Sequence, residues 1–343
     1  MNNQIVKIAV LLVVLLCLIF GINLVYKKNR TLLNVCKNNK WGVITIHNNV
    51  VIPFKYDGIT RFIDGRAVVY LDGKYGIINR KGDWILEPKY DDMQEYSEKL
   101  SAVREKDKFG YVDLKGKVAI PLQYDSADSF IEGLAIVSKD NKYGFIDKKN
   151  KIVIPLNYDK VEPFSEGIAV VCRNKKCGAI DKTGKPVLSM EYDDLGFHSK
   201  GEIPVCKAID SSGVMLCGIV DLQGNEILPM MYYSVTPKSE NMYAVQYDTL
   251  NWKYIDLKGE DVFDREFYLA DDFVDGLAIV CSSFDECGYI NKKGKTVVDI
   301  KYEAVSPFYK GVTAVLSEGK WGFVNKKGKV IIPFEYDWTG LVY

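Results

Sequence analysis

The sequence predicts an all-β protein built from tandem repeats of about 34 residues and preceded by one membrane-spanning helix. Two observations predict the repeats. A pair formed by an aromatic residue and a glycine recurs at a nearly constant spacing, and short apolar runs separated by turns lie between the pairs. An unbroken apolar run near the amino terminus predicts the helix. No segment after Arg30 has the i, i+3, i+4, i+7 apolar spacing of an amphipathic helix.

The composition of the 343-residue chain is that of a folded protein, with 48% hydrophobic and 26% charged residues. Its 45 Lys and Arg balance 45 Asp and Glu, so the net charge of zero gives no general attraction to nucleic acid. The two histidines, His47 and His198, lie in different repeat positions, which argues against a His-based metal site or acid–base pair. We therefore expect no metal, no cofactor and no nucleic-acid partner.

Residues 1–30 are predicted to be a membrane anchor with a basic flank. Residues 8–26 are apolar except for one asparagine, which is about the length that a spanning helix needs. No A-x-A-like cleavage site follows, so an uncleaved signal anchor is favoured over a cleaved signal peptide. A lipoprotein signal at Cys17 is disfavoured, because Leu16 stands where a small residue is required.

Residues 31–343 form the predicted repeat array of about eight and a half units. The first five pairs are spaced by 34 residues each, and the later spacings are 40, 35, 35 and 34. Cysteine replaces the aromatic residue in three units, and Lys253 replaces the glycine in another. The first residues of the pairs are Trp41, Tyr75, Phe109, Tyr143, Cys177, Cys217, Trp252, Cys287 and Trp321.

Each unit begins with a strand that contains the pair and continues through a hairpin turn such as Asn325–Gly328. Asn or Asp at the first turn position caps the turn, and Gly or Asn at the last position tolerates a positive φ. A second strand ends near a proline such as Pro333, which removes a hydrogen-bond donor. A tyrosine follows, with an aspartate after it in six units. An aromatic residue and a tight turn then lead into a third strand.

The aromatic residues are expected to form a buried layer between neighbouring units. This repeat core comprises Trp41, Tyr75, Phe109, Tyr143, Trp252 and Trp321 from the pairs, and Tyr56, Tyr90, Tyr124, Tyr158, Tyr192 and Tyr336 from the Tyr-Asp positions. The glycine would let one backbone approach another closely. Tyr232 and Tyr268 lack a following aspartate, so the middle units are expected to be distorted or to carry the specific function.

An open, twisted solenoid of hairpins is our first choice for how the units are arranged. Units of about 34 residues with three strands are short for a propeller blade, which usually has four strands and about 40–45 residues. A β-propeller is the alternative. The chain begins and ends part-way through a unit, as a ring that closes on itself would.

The repeated pattern resembles the WG-repeat family of bacterial proteins, also called KWG repeats. The pattern runs W/Y/F-G, D/N-x-x-G-K-x-(V/I)-I-P, Y-D and F-x-E-G-x-A-x-V, and the resemblance covers about residues 40–343. It implies a bacterial repeat protein without an established enzymatic activity, and it supplies no catalytic residues.

Three units carry a pair of cysteines, the first closing the third strand and the second replacing the aromatic residue. These pairs are Cys172/Cys177, Cys206/Cys217 and Cys281/Cys287. Adjacent strand ends lie within disulfide reach, so we predict three disulfides. Zinc is the competing interpretation, disfavoured because the spacings differ and no histidine is adjacent. Cys17 and Cys36 stay unpaired, and Cys36 leaves a disulfide-linked homodimer open.

Two observations on location disagree. Basic residues are denser after the apolar segment than before it, which favours a cytoplasmic array. The cysteine pairs favour an oxidising compartment, and we give them more weight. We expect a single-pass membrane protein whose array lies outside the cytoplasm.

The remaining polar groups fit structural roles better than functional ones. The Tyr-Asp pairs fit a core ring and a turn cap better than a sugar or cation site. The lysine-rich turns, such as Lys148-Lys149, Lys292-Lys293 and Lys326-Lys327, fit solvated hairpin tips better than a stripe that binds acidic polymer. The paired carboxylates of glycoside hydrolysis could come from Asp91-Asp92, Asp193-Asp194 or Asp271-Asp272. Adjacent residues of an extended chain point to opposite faces, so none of these pairs is expected to share one site.

We therefore expect a membrane-tethered, non-catalytic protein whose array binds a protein or a glycan, because stacked units offer extended surfaces. One alternative is a carboxylate-dependent hydrolase on a propeller-like face. The other is a cytoplasm-facing scaffold with free thiols. Neither the ligand nor the oligomeric state follows from the sequence.

Overall fold

The computed structural model describes residues 32–209 and 213–340. In these ranges all the regular elements are β-strands, and none of the described segments forms a helix long and apolar enough to cross a membrane. The anchor predicted over residues 8–26, together with Cys17, lies outside the described residues.

The strands form nine antiparallel sheets, which are the blades of a β-propeller. The first strand of each blade has two residues. These strands are β4 Gly58–Ile59, β8 Asp92–Met93, β12 Ser126–Ala127, β16 Lys160–Val161, β20 Asp194–Leu195, β24 Ser234–Val235, β27 Leu269–Ala270, β31 Ala304–Val305 and β35 Trp338–Thr339. The second strands are β1 Leu32–Lys37, β5 Arg66–Leu71, β9 Leu100–Glu105, β13 Leu134–Lys139, β17 Ile168–Arg173, β21 Glu202–Ala208, β25 Tyr243–Gln246, β28 Leu277–Ser283 and β32 Val312–Ser317.

The third and fourth strands complete each sheet. The third strands contain the aromatic-glycine positions and are β2 Lys40–Thr45, β6 Lys74–Asn79, β10 Lys108–Asp113, β14 Lys142–Asp147, β18 Lys176–Asp181, β22 Met215–Asp221, β26 Trp252–Ile255, β29 Glu286–Asn291 and β33 Lys320–Asn325. The fourth strands are β3 Val50–Tyr56, β7 Trp84–Tyr90, β11 Val118–Tyr124, β15 Ile152–Tyr158, β19 Pro186–Tyr192, β23 Glu226–Tyr232, β30 Thr296–Tyr302 and β34 Val330–Tyr336. We number the blades 1–9 by the chain order of their second strands.

The two ends of the array meet in blade 1 and close the ring. Strand β35 pairs with β1, with Val35 opposite Thr339 and Cys36 opposite Trp338. The described array therefore starts at the second strand of one blade and ends at the first strand of the same blade. The expected open solenoid is wrong, and the propeller alternative is confirmed. The predicted eight and a half units become nine, because the two partial units combine in one sheet.

The glycine of the repeated pair lets the third and fourth strands approach closely. A Cβ on Gly144 would lie 2.5 Å from the carbonyl oxygen of Ile154, and a Cβ on Gly218 would lie 2.4 Å from that of Leu228. A side chain at either position would push the fourth strand away from the third. The repeat therefore needs glycine for a steric reason.

Blade 7 has three strands, and Lys253 explains the missing fourth. Lys253 stands in the glycine position, so its side chain occupies space that a fourth strand would need. The following chain is irregular, with an isolated bridge between Trp252 and Phe267. Phe267 thereby takes the buried position that tyrosine holds elsewhere, and Tyr268 takes the position of the aspartate. The sequence alignment that gave Tyr268 the tyrosine role was shifted by one residue.

The apolar core consists of separate clusters between neighbouring blades, such as the cluster that joins blades 4 and 5 through Phe145, Tyr158 and Phe164. An equivalent cluster joins blades 9 and 1. The six tyrosines of the Tyr-Asp positions are all buried. Trp321 is also buried, whereas Trp41, Tyr75, Phe109, Tyr143 and Trp252 are only half-buried and so lie at the margin of the expected core layer.

Antiparallel pairing gives the ring two faces. The hairpin face carries the turns between second and third strands and the short links from one blade to the next. The turn face carries the loops between first and second strands and the turns between third and fourth strands. The disulfides lie on the hairpin face, and the largest cavity described below lies on the turn face.

Candidate binding site

The aspartates of the Tyr-Asp pairs hold neighbouring blades together on the hairpin face. Asp125 accepts a hydrogen bond from Lys108 Nζ at 2.6 Å and another from the Asp140 amide at 2.8 Å. Asp193 does the same with Lys176 and Ala208 at 2.6 and 2.9 Å. We call this arrangement the aspartate clasp. It recurs at Asp57, Asp91, Asp159 and Asp337.

The clasp engages both oxygens of the carboxylate, one with the lysine and one with the turn amide. The hydrogen bond from the lysine, followed by that from the turn amide, lowers the pKa of all six aspartates below the ordinary value. A carboxylate held in this way stays ionised and capped near neutral pH. The geometry therefore agrees with the structural interpretation of the Tyr-Asp pairs.

Glutamates of the turn face form a second contact between blades, which we call the glutamate latch. Glu132 accepts a hydrogen bond from the Gly167 amide at 3.0 Å and an ion pair from Lys182 at 3.0 Å. Glu98 and Glu240 make the same contacts with the next blades, and their lysines are Lys148 and Lys292. Lys148 and Lys292 were expected to be solvated hairpin tips, but both are paired with carboxylates.

The three predicted disulfides are present at one register position of blades 5, 6 and 8. They are Cys172–Cys177, Cys206–Cys217 and Cys281–Cys287, with Cα–Cα distances of 4.0, 4.1 and 4.0 Å. In each pair the two cysteines face each other across the second and third strands. Elsewhere the same position holds side-chain pairs such as Tyr70 and Tyr75, whose ring centroids lie 4.7 Å apart.

Cys36 occupies the equivalent position of blade 1, opposite Trp41, and is free. Burial, followed by the negative charge of Asp337, raises the pKa of its thiol. Because the side chain is buried and β35 pairs beside it, a disulfide to a second chain would require blade 1 to open.

The aspartate clasp is missing from the links before blades 7 and 8. Tyr233 and Tyr268 stand in the aspartate positions, and both are exposed. Phe284, at the hairpin tip of blade 8, has 84% of its surface exposed. The hairpin face of these two blades therefore exposes three aromatic side chains, Tyr233, Tyr268 and Phe284.

A cavity with a volume of about 510 Å³ lies on the turn face where blades 4, 5 and 6 meet. Its walls are mainly apolar and come from the loops that follow three consecutive first strands. The lining residues that matter most are Phe164 and Val170 of blade 5, and Leu195, Phe197 and His198 of blade 6. We call it the blade 5–6 pocket. Its size falls in the range of small-molecule sites, about 300–1,000 Å³.

A missing ring accounts for the blade 5–6 pocket. In blade 4, Phe145 of the third strand packs on Phe164 of the following loop with ring centroids 4.7 Å apart. Blades 3, 7 and 8 contain the corresponding ring pairs, Tyr111 with Phe130, Tyr254 with Phe273 and Tyr289 with Phe308. Blade 5 has Ala179 in the third-strand position, opposite Val170, and His198 in the loop position. Two large side chains are thus replaced by a methyl group and an imidazole.

His198 is nonetheless well anchored. It is buried, and its Nε2 lies 2.7 Å from the Ser165 carbonyl oxygen, so Nε2 donates this hydrogen bond. Phe197 stacks beside it with a centroid distance of 6.1 Å and has 75% of its surface exposed. The pair forms an aromatic wall at the mouth of the pocket.

The rim of the blade 5–6 pocket is acidic. Glu162 lines it and shares Lys160 with Asp194, at 3.3 and 3.5 Å. Glu166 accepts the Lys200 amide at 2.6 Å, but it lacks the latch lysine because Leu222 stands in that position.

The charge of Glu162 also affects Asp128, a carboxyl group of the neighbouring blade. Burial first, and then the charge of Glu162, raise the pKa of Asp128. The two carboxylates therefore lie within electrostatic reach of each other.

The three adjacent aspartate pairs differ in their surroundings. Asp91 and Asp193 belong to clasps, and Asp194 contacts Lys160. Asp271 and Asp272 both line a smaller cavity of about 190 Å³, so the expectation that no adjacent pair shares one site is wrong for this pair. Burial raises the pKa of Asp272. Within residues 32–209 and 213–340, no group of three or more His, Cys, Asp or Glu is arranged to hold a metal ion.

Sequence reasoning missed the blade 5–6 pocket, although the signal is present. Aligning the third strands gives Gly-Tyr-Val, Gly-Phe-Ile and Gly-Ala-Ile in blades 3, 4 and 5, so Ala179 stands out as small. Aligning the loops shows His198 in place of phenylalanine. His198 was weighed only as a metal ligand or acid–base group, and not as a missing ring.

The fold and this site define a β-propeller with a ligand-sized pocket between blades. Residues 41–75, 75–109, 109–143, 143–177, 178–207, 218–248, 252–282, 288–321 and 321–341 match the WG containing repeat. The chain therefore belongs to the WG containing repeat family, which confirms the resemblance seen in its sequence. No curated protein matches it significantly.

Solved structures support the propeller fold. A crystal structure of a eukaryotic initiation factor has a TM-score of 0.64 at 8% identity, covering 91% of this chain and 97% of that chain. BamB from Moraxella catarrhalis gives a TM-score of 0.44 at 12% identity, covering 76% and 90% of the two chains. The dihydro-heme d1 dehydrogenase NirN gives 0.45 at 11% identity, covering 92% and 75%. The initiation factor supports the fold alone, and the other two scores are too low to support any conclusion.

Proposed function

We propose that this protein is a membrane-tethered, extracytoplasmic and non-catalytic propeller that binds a protein or glycan partner. The observation that carries the binding role is the blade 5–6 pocket, where Ala179 and His198 stand in place of two rings of the repeat. The aspartate clasps and glutamate latches use most of the repeated charges to join blades. These contacts between blades do not account for the pocket, which has the size of a ligand site.

The proposed location is supported by the disulfides and by the apolar run. Disulfides persist in oxidising compartments and are rare in the cytosol. Three disulfides at equivalent positions of their blades are therefore expected of an array outside the cytoplasm. Residues 8–26 are long enough to tether the array to a membrane.

Thiol labelling of intact cells tests the location. An impermeant maleimide should modify the full-length protein only after an impermeant reductant has been added. Cys172→Ser/Cys177→Ser serves as the control, because it removes one of the bridges and should lower the labelling by two thiols. If labelling needs permeabilised cells and no reductant, the array faces the cytoplasm and the proposal of an external location fails.

Binding and turnover are tested together. The full-length protein is reconstituted in lipid nanodiscs and exposed to a panel of cell-surface proteins and glycans, with empty nanodiscs as the control. Saturable binding without chemical change of the ligand supports the proposal. Cleavage of any bound glycan or peptide would contradict the non-catalytic role and revive the hydrolase alternative.

A further inference from the structure

We infer that the blade 5–6 pocket receives an aromatic side chain flanked by a basic residue on a partner protein. This inference rests on the proposed binding function and specifies its ligand chemistry. It comes from three departures from the repeat that meet at one junction. They are Ala179 in place of a ring, His198 in place of a second ring, and Leu222 in place of a latch lysine.

The apolar part of the pocket has the chemistry of an absent ring. In blade 4, the ring of Phe145 covers one side of Phe164. In blade 5, the corresponding space is bounded by Val170 and Leu195, both buried in the cluster that contains Ala179. An aromatic side chain of a partner would supply the contacts that this cluster lacks, since burying a ring in an apolar site is strongly favourable.

The acidic rim favours a partner that carries a positive charge beside the ring. Glu162 lines the pocket, and it shares a single lysine, Lys160, with Asp194. Glu166 has lost the lysine that pairs with Glu98, Glu132 and Glu240 in other blades. A cation close to the ring would meet this uncompensated charge.

The exposed ring of Phe197 gives such a cation a second contact. It stands at the mouth of the pocket and stacks on the buried His198, which holds its position. A guanidinium or ammonium group placed over an exposed aromatic face is attracted by the ring. The pocket therefore has an apolar floor, an aromatic wall and a negative rim. A glycan presents no aromatic ring, and a neutral or acidic glycan carries no positive charge.

Tryptamine and indole-3-propionate are suitable probes, because they share one ring and differ in the sign of their charge. Their binding to the full-length protein in nanodiscs is measured by isothermal titration calorimetry, with empty nanodiscs as the blank. We expect tryptamine to bind and indole-3-propionate to bind about tenfold more weakly or not at all. Glu162→Gln should reduce this preference.

Two variants that restore the repeat pattern should close the pocket. Ala179→Phe supplies the ring that blade 4 has at Phe145, and His198→Phe supplies the ring that blades 4 and 5 have at Phe130 and Phe164. Each should weaken tryptamine binding by about tenfold or more. The matched control is Ile77→Phe, the same strand position in blade 2, which should leave binding unchanged. Thermal unfolding shows which variants are folded. If Ala179→Phe does not fold, the prediction is tested with His198→Phe alone.

Three results would overturn the inference. They are equal binding of both probes, no binding of tryptamine to the wild type, or unchanged binding in both pocket-filling variants. The proposed function fails separately, through internal labelling or turnover. A glycan that binds the wild type while tryptamine does not would reject this ligand chemistry and leave the binding function intact.

Discussion

Blades 2–4 and blades 5–8 are built from the same repeat, but they use it differently. In blades 2–4 the repeated residues meet one another. Aromatic rings pack in pairs from blades 3 and 4, aspartates clasp hairpins and glutamates latch to lysines. In blades 5–8 several of these partners are absent. Disulfides replace aromatic residues, Lys253 removes a strand, and Ala179 and His198 open a pocket.

The difference shows that a blade can lose one contact between two strands when a second contact, such as a disulfide, joins the same strands. A disulfide joins the second and third strands at the position where packed side chains do so in blade 2. A cross-link does not depend on the burial of a large side chain, so the surrounding surface is free to vary. We suggest that the covalent bonds permit the divergence of the neighbouring loops. The predictions below test this contrast.

Reduction of the three disulfides should have the largest effect. In the chain-entropy model, each bridge contributes about 2–3 kcal/mol to the free energy of unfolding. After reduction, hydrogen exchange should accelerate in the hairpins of blades 5, 6 and 8 and remain slow in blades 2–4. The Cys172→Ala/Cys177→Ala variant should show the same acceleration in blade 5 alone. Uniform acceleration around the ring would mean that the disulfides do not stabilise their own blades more than the others.

The glycine of the repeated pair should give the next largest effect. Gly144→Ala places a Cβ 2.5 Å from a backbone oxygen, so we expect a loss of about 3 kcal/mol in the free energy of unfolding. The control is Gly133→Ala, where a Cβ would meet no atom within 4 Å and only the positive φ of +88° is strained. Strain of this kind costs about 1 kcal/mol. Denaturant unfolding measures both, and equal losses would contradict the steric explanation.

Acid should open the clasped hairpins selectively. The pKa values of the six clasp aspartates are lowered in the folded protein, so their contribution to stability is complete above about pH 4. It is lost as the pH falls through the lowered folded pKa. Hairpins of blades 1–6 should therefore exchange faster below pH 4, after correction for intrinsic rates. The hairpins of blades 7 and 8, preceded by Tyr233 and Tyr268, serve as internal controls and should not respond in this way.

A restored glutamate latch should have the smallest effect. Leu222→Lys would place a lysine near Glu166, as Lys182 is placed near Glu132. An exposed ion pair of this type contributes about 0–1 kcal/mol and weakens with salt. Because Leu222 also packs against the apolar cluster of blades 5 and 6, the ion pair is measured as the part of the thermal midpoint that high ionic strength removes from Leu222→Lys but not from the wild type. The same variant should weaken tryptamine binding, whereas Leu222→Met should change neither quantity.

Much of the blade was predictable because its determinants are local. The turn at Asn325–Gly328, the glycine of the pair and the cysteine pairs each act through neighbouring strands, so the residues show their roles directly. The first strand of each blade was missed because a two-residue strand, such as Gly58–Ile59, has no periodicity to read.

Ring closure and the pocket were harder to predict because each depends on several distant parts of the chain together. Whether the array closes depends on the rotation from each blade to the next, which no single motif reveals. The pocket depends on two residues, Ala179 and His198, that are ordinary alone and unusual only beside their counterparts. Comparison between copies, more than inspection of any one, would have found it.

Because β35 pairs with β1, the ring should not depend on which blade comes first in the chain. Described residues from the two ends lie side by side in one sheet, so joining them by a short linker should preserve the ring. New termini could then be opened at an exposed hairpin tip, such as the one between β13 and β14. Such circular permutants would let the attachment point move around the ring, and with it the direction in which the blade 5–6 pocket faces.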